Sequence, residues 1–165
     1  ESFGSRLQAM ADSVARACLA RGVPVLWPAH PNPVVQLAAR WQKSTNVKVI
    51  PPLDYVDFLA HAQVASLVVT DSGGIVEECC SLGTPTLQLR EYTDRQEAVP
   101  THSWLAGRDP GKIHALVMTA LDNADLWRRQ ILARGNPFGD GTAGRKIAAH
   151  IIDWLGRNDT SCGEA

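Results

Sequence analysis

Four short apolar runs recur along the chain, and each gives way to a break and then to a stretch whose apolar residues keep helical spacing. The runs are Val23-Pro24-Val25-Leu26-Trp27, Val47-Lys48-Val49-Ile50, Leu67-Val68-Val69-Thr70 and Pro85-Thr86-Leu87-Gln88-Leu89. Runs this brief and this continuous are the pattern of strands buried on both faces. Helical spacing covers 5–21, 34–43, 54–63, 75–82, 110–123, 124–134 and 142–156. In the last stretch Ile147, Ile151, Ile152 and Leu155 are spaced for burial. Strands alternating with helices predict an α/β fold: a parallel sheet with helices on both faces, joined by right-handed crossovers. In open sheets of this kind ligands sit beyond the carboxyl ends of the strands, so the loops after Trp27, Ile50, Thr70 and Leu89 form the rim to search.

With 165 residues the expectation is one domain over 1–156, followed by a frayed tail over 157–165. Because the first residue is Glu1 and a helical pattern starts at once, the chain reads as a piece of a longer polypeptide. Lys and Arg number 16 against 17 Asp and Glu, a net charge of -1 that argues against a general nucleic-acid binder. No apolar run approaches the roughly 20 residues a membrane span requires, and the N-terminus lacks a signal-peptide pattern, so the expected location is the cytoplasm. Cys18, Cys79, Cys80 and Cys162 form no C-x-x-C pair and have no histidine at zinc-ligand spacing. Inert buried thiols, no metal and no cofactor are expected.

The most informative rim segment is Thr70-Asp71-Ser72-Gly73-Gly74-Ile75-Val76-Glu77-Glu78, where a buried strand passes through two glycines into a helix. Glycines let backbone approach a ligand, and the unpaired amides and positive dipole end of a helix favour phosphate oxygens. Ser72 can add a hydroxyl, or can simply cap a tight turn. The segment is neither a P-loop nor a G-x-G-x-x-G fingerprint. Glu78 is either a dipole partner or, four residues after Gly74 on the same face, an acceptor for a vicinal diol such as ribose. Arg90, Glu91, Asp94, Arg95 and Glu97 crowd the next loop; they are surface ion pairs, or they bring a guanidinium to a second phosphate. Phe58 is core or a base-stacking ring, and His30, in a proline-fixed loop, is more simply structural than catalytic.

These residues carry a resemblance. The chain resembles the C-terminal domain of the non-hydrolysing UDP-N-acetylglucosamine 2-epimerases, in the glycosyltransferase-B fold group. Pro28-Ala29-His30-Pro31-Asn32-Pro33, Pro51 to Phe58, Thr70 to Glu78, Asp94 to Val99 and Asn136 to Gly141 carry it in the family's order. The resemblance implies a Rossmann-like sheet forming one half of a two-domain enzyme. Ser72, Gly73 and Gly74 would hold the UDP diphosphate with Arg95, Glu78 the ribose, and Phe58 and the Leu53 backbone the uracil. Glu1 and His30 would belong to a regulatory UDP-sugar site. Family chemistry eliminates UDP from UDP-GlcNAc and adds it back to give UDP-ManNAc, with no catalytic residue in this domain. The partners implied are the UDP-sugar, an N-terminal domain of the same polypeptide and a second subunit in a homodimer.

Three departures stand out. The family's His-Arg-Arg-Glu segment would begin just before Glu1; Val76 replaces a usual Gln and Gln96 a usual Pro; and 101–108 lack the family's glycine-and-valine pattern, which puts the loop after Arg95 in question. A stand-alone UDP-binding module, a hydrolysing enzyme or one acting on another UDP-sugar would keep the same groups.

Overall fold

The computed structural model describes residues 5–33, 35–36, 39 and 42–159. Glu1 and Cys162 lie outside them. Helix α1, Ser5–Ala20, buries Met10, Ala17 and Cys18 at spacings of seven and eight, one face of the helix. It ends at Gly22, whose φ of +65° only glycine adopts freely, with the Val23 amide turned back onto the Cys18 carbonyl at 2.9 Å.

Strand β1, Val25–Pro28, runs parallel to β2, Val47–Ile50, in the register Val25 opposite Val47. The helix expected over 34–43 falls partly outside the described residues; within it 35, 36 and 39 are helical, residue 33 just before it is helical too, and 42 and 43 are not, so the helix ends before the expected boundary. Helix α2, Tyr55–Val64, leads to β3, Val68–Thr70. Helix α3, Gly73–Leu82, leads to β4, Thr86–Gln88. A single 3-10 turn, Gln96–Ala98, precedes β5, Ser103–Leu105. Helices α4, Pro110–Asp122, α5, Ala124–Arg134, and α6, Ala143–Asp159, complete the described chain.

All pairings are parallel, β1 with β2 and, separately, β3 with β4 and β4 with β5. One core joins the two ladders. Val25, Val69, Leu87 and Trp104 from four strands pack with Met10, Cys18, Ile113 and Val117 of α1 and α4. Leu87 therefore faces α1 and α4, while its neighbour Thr86 lies toward Cys79 on α3 behind the sheet, its hydroxyl donating to the Thr84 carbonyl at 3.1 Å. Alternate residues of β4 point to opposite faces, and helices cover both. Trp104 also stacks on Trp127 of α5, with ring centroids 3.9 Å apart.

The structure departs from the sequence pattern in three places. β5 lies within 101–108, where no strand was read: Trp104 and Leu105 are paired to β4, and the Gln88 side-chain amide donates to the Ser103 hydroxyl at 2.7 Å, so a buried polar pair replaces an apolar one. Helix α3 starts at Gly73, so both glycines belong to its first turn. The residues of α6 spaced for burial are all exposed, Ile147 by 59%, Ile151 by 49%, Ile152 by 70% and Leu155 by 53%. Helical spacing reports an apolar face but not which element covers it, and among the described residues none does. α6 also runs on through Asp159, into the stretch read as a tail.

Candidate functional site

Parallel pairing puts the carboxyl ends of β3 and β4 on one side, and the loops that leave them meet at the start of α3. The turn after β3 is shaped by Thr70, buried, whose hydroxyl accepts the Ser72 amide at 3.1 Å. Ser72 occupies the N-cap position in extended conformation, φ -93° and ψ 127°, yet its side chain makes no cap bond. The contrast lies within the molecule: Asp54 caps α2 by accepting from the Asp57 amide at 2.8 Å, and Asp109 caps α4 by accepting from the Lys112 amide at 2.7 Å. Helix geometry leaves the first-turn amides of Gly73, Gly74 and Ile75 without a carbonyl, and the first intrahelical bond runs from Val76 to Ser72 at 3.3 Å. Amides without a cap are what an anion would use.

Neither glycine has a positive φ, so the backbone conformation does not demand glycine here. Space does the explaining. A Cβ at Gly73 would lie 3.5 Å from the Arg95 guanidinium carbon and 3.5 Å from Asp94, whereas one at Gly74 would meet only the Ser72 hydroxyl at 3.9 Å. The structure thus brings Arg95, 22 residues away in sequence, over the first turn of α3.

Arg95 donates from Nε to Glu77 and from Nη1 to Asp94 at 2.7 Å, and Asp94 in turn meets Arg90 at 3.4 Å. The hydrogen bond that Arg95 donates to Glu77 raises the Arg95 pKa most, desolvation works against it, and the Asp94 and Glu77 charges add to the rise, so this group stays a cation throughout the working range. Its loop is fastened beneath it: the Arg95 amide donates to the hydroxyl of buried Thr93, and the Gln96 side chain donates to the Thr93 carbonyl at 2.6 Å. Gln96, where the family pattern has proline, holds the loop by that bond. Glu91 ties the same loop to the one after β5 by accepting the Arg108 amide at 3.0 Å.

Glu78 is half-buried on α3. The phenol of Tyr55, in the first turn of α2, lies near it, and the Glu78 charge followed by desolvation raises the tyrosine pKa. Phe58, one turn after Tyr55, and Leu53, just before the Asp54 cap, are both half-buried in the loop and helix that follow β2. His30 is exposed and accepts the Asn32 amide on Nδ1 at 3.1 Å. Its carbonyl and that of Ala29 are held by Gln36 at 2.9 and 3.0 Å. These bonds tie the loop to itself and to helical Gln36.

Three side chains of the candidate site are not among those the sequence points to: Thr70, which shapes the turn, Glu77, which holds Arg95, and Tyr55, which lies near Glu78. Tyr55 shared a helix face with Phe58 and could have been found by that spacing. Glu77 had no such signal, because its partner lies on another loop. Among the described residues no three histidine, cysteine or acidic side chains are grouped to hold a metal. Cys18, Cys79 and Cys80 are free and buried, and burial pushes the thiols of Cys79 and Cys80 up to about 11 and about 12.

Together these features define a parallel α/β domain with an uncapped, anion-receptive helix terminus on its ligand rim and an arginine held across it. Within that class the chain belongs to the UDP-N-acetylglucosamine 2-epimerase family, whose model matches residues 1–152. It is 40% identical over 133 residues to the UDP-N-acetylglucosamine 2-epimerase of Bacillus subtilis, covering 79% of this chain and 35% of that protein. Among solved structures it is similar to the Neisseria meningitidis UDP-GlcNAc 2-epimerase bound to UDP-GlcNAc, with a TM-score of 0.80, 28% identity, and coverage of 92% of this chain and 42% of that one. It is similar also to Staphylococcus aureus MnaA in a co-structure with UDP, with a TM-score of 0.81, 30% identity, and coverage of 93% and 42%. These likenesses give the chain the parallel α/β fold of one part of those glycosyltransferase-B-type structures. The chain spans well under half the length of the relatives it matches.

Proposed function

We propose that this chain is the UDP-binding C-terminal part of a UDP-GlcNAc 2-epimerase. The observation that carries the proposal is the uncapped start of α3 with the Arg95 guanidinium carbon 3.5 Å from the Cβ position of Gly73. The Ser72 hydroxyl and the amides of Gly73 and Gly74 take one side of the diphosphate, and Arg95 takes the other. Glu78 accepts the ribose hydroxyls, with Tyr55 presenting its carboxylate, while Phe58 and the Leu53 backbone receive the uracil. His30, with Glu1, belongs to a second, regulatory UDP-sugar site.

The chemistry this serves is loss and re-addition of UDP at the sugar, with inversion at C2. As the anomeric C–O bond breaks, negative charge gathers on the diphosphate. Fixed amides and a guanidinium stabilise that charge without having to reorganise, so the same groups that bind the nucleotide lower the barrier to its departure. Acid and base carboxylates come from an N-terminal domain of the same polypeptide, facing this rim across a cleft in a cytoplasmic homodimer.

Calorimetric titration of UDP into the chain tests the reading. Saturable binding is expected, weakened about tenfold or more by Glu78→Ala and by Arg95→Ala, in line with the loss of a hydrogen bond to a charged group. Absence of UDP binding, or binding indifferent to both substitutions, would sink it.

A further inference from the structure

We infer that Glu77, a residue to which the nucleotide site so far assigns no role, is the positioning residue that sets Arg95 over the first turn of α3. The inference rests on the diphosphate site proposed above and names how that site is held.

Three observations carry it. Glu77 follows Gly73 by four residues on α3, so its carboxylate rises on the face of the helix where Gly73 opens the first turn. It accepts the Nε hydrogen of Arg95, and the side chains of the pair are 42% and 31% exposed, more sheltered than the other ion pairs of this loop and of α6. Asp94 takes Nη1 of the same guanidinium at 2.7 Å. A planar guanidinium fixed at two of its three nitrogens has lost rotation about its last bonds. Among the described residues Nη2 is the nitrogen that neither carboxylate uses.

The division of labour follows from reach. Asp94 is adjacent to Arg95 in sequence and 64% exposed, so it moves with the loop and cannot by itself aim the guanidinium at α3. Glu77 belongs to the helix that would bind the phosphate. It is the contact that references Arg95 to that helix. Without it the arginine keeps its charge and its loop but loses its place over Gly73. The carboxylate also lies close to the phosphate position, so its benefit comes from geometry and not from charge. A neutral side chain of the same shape, still offering an oxygen to Nε, therefore preserves the effect.

A double-mutant cycle on the 165-residue chain tests this, with UDP as the calorimetric probe and the thermal midpoint as the control on folding. Glu77→Ala is expected to weaken UDP binding about fivefold to twentyfold with Arg95 present, and less than twofold in the Arg95→Ala background. Glu77→Gln is expected to stay within about threefold of the unmodified chain or to bind more tightly. Additive losses in the cycle, an unchanged affinity in Glu77→Ala, or a Gln variant as weak as the Ala variant overturns the assignment while leaving the UDP site standing. Absence of UDP binding by the unmodified chain overturns both. If Glu77→Ala lowers the thermal midpoint, Glu77→Met, which keeps the length of the side chain but offers Nε no oxygen, takes its place in the cycle with the same expected losses and the same overturning outcomes.

Discussion

A single methyl group at residue 73 separates the fold from the ligand. The Cβ of alanine there would sit at ordinary contact distance from Arg95 and Asp94, and the backbone φ is one any residue adopts. Gly73→Ala is therefore expected to change stability by no more than about 0.5 kcal/mol, while cutting UDP affinity roughly tenfold or more by filling the gap proposed for a phosphate oxygen between amide and guanidinium. Chemical denaturation paired with calorimetry checks both halves. Equal affinity in the variant would mean that the diphosphate does not enter between Gly73 and Arg95. At this scale part of the site was legible from spacing along one helix: Ser72, Gly73, Gly74 and Glu78 all lie within seven residues, and the start of a helix has a definite chemistry. Arg95 was legible only as one of several charges on a rim loop. Its contact with Glu77 spans 18 residues and two elements, and no periodicity encodes it.

Elements differ in what holds their ends, and that difference is measurable. Asp54 and Asp109 accept first-turn amides, so Asp54→Ala and Asp109→Ala should each cost about 1 kcal/mol of stability. Ser72 makes no cap bond, so Ser72→Ala should cost only a few tenths of that by the same cap scale and should instead weaken UDP binding. Urea midpoints of the three variants decide it, and a Ser72 loss as large as the aspartate losses would return Ser72 to the role of a simple cap. The buried face of α3 makes a further demand. Its thiols at Cys79 and Cys80 are held neutral, with pKa values pushed from 9.0 to about 11 and about 12 by burial. A group whose folded pKa is raised contributes its stability below the unfolded value and loses it as pH climbs through the folded one. Stability is therefore expected to fall between pH 9 and pH 11–12, and Cys79→Ala to flatten that decline. The same protonation leaves both thiols unreactive to iodoacetamide at pH 8 until the chain unfolds, which peptide mass mapping would show. Strand β5 was the element hardest to read, and the reason is physical. Three residues beginning with a buried serine carry no alternation of their own, and the strand exists because β4 offers a ladder and Gln88 offers a partner. Helix α3 was read two residues short because glycine is a poor helix former in general, although a first turn tolerates it.

For the whole molecule, alternation of strands and helices was enough to foretell a parallel sheet covered on both faces, because few other arrangements bury such short apolar runs. What that pattern could not say is where the covering ends. The apolar side of α6 has the period of a buried helix and is exposed among the described residues, since the period is a property of one element and its partner a property of the assembly. The same distinction governs activity. Epimerisation through loss of UDP requires a base to remove the proton at C2 and an acid to return one, each within reach of the sugar. On this rim Glu77 and Asp94 are engaged with Arg95 and Glu78 lies beside Tyr55, while Asp71, in the turn before the helix, is exposed and none of the described residues holds it toward a sugar. The chain alone is therefore expected to bind UDP-GlcNAc without exchanging its C2 hydrogen for solvent deuterium, as proton NMR in heavy water would report. A polypeptide extended to the length of the relatives, of which this chain covers 35% to 42%, is expected to exchange that hydrogen and form UDP-ManNAc. Exchange by the short chain would place a base on this rim after all, with Glu78 released from Tyr55 as the first candidate. No exchange by either, with UDP still bound by both, would leave a nucleotide-binding protein of the same fold that catalyses nothing at C2.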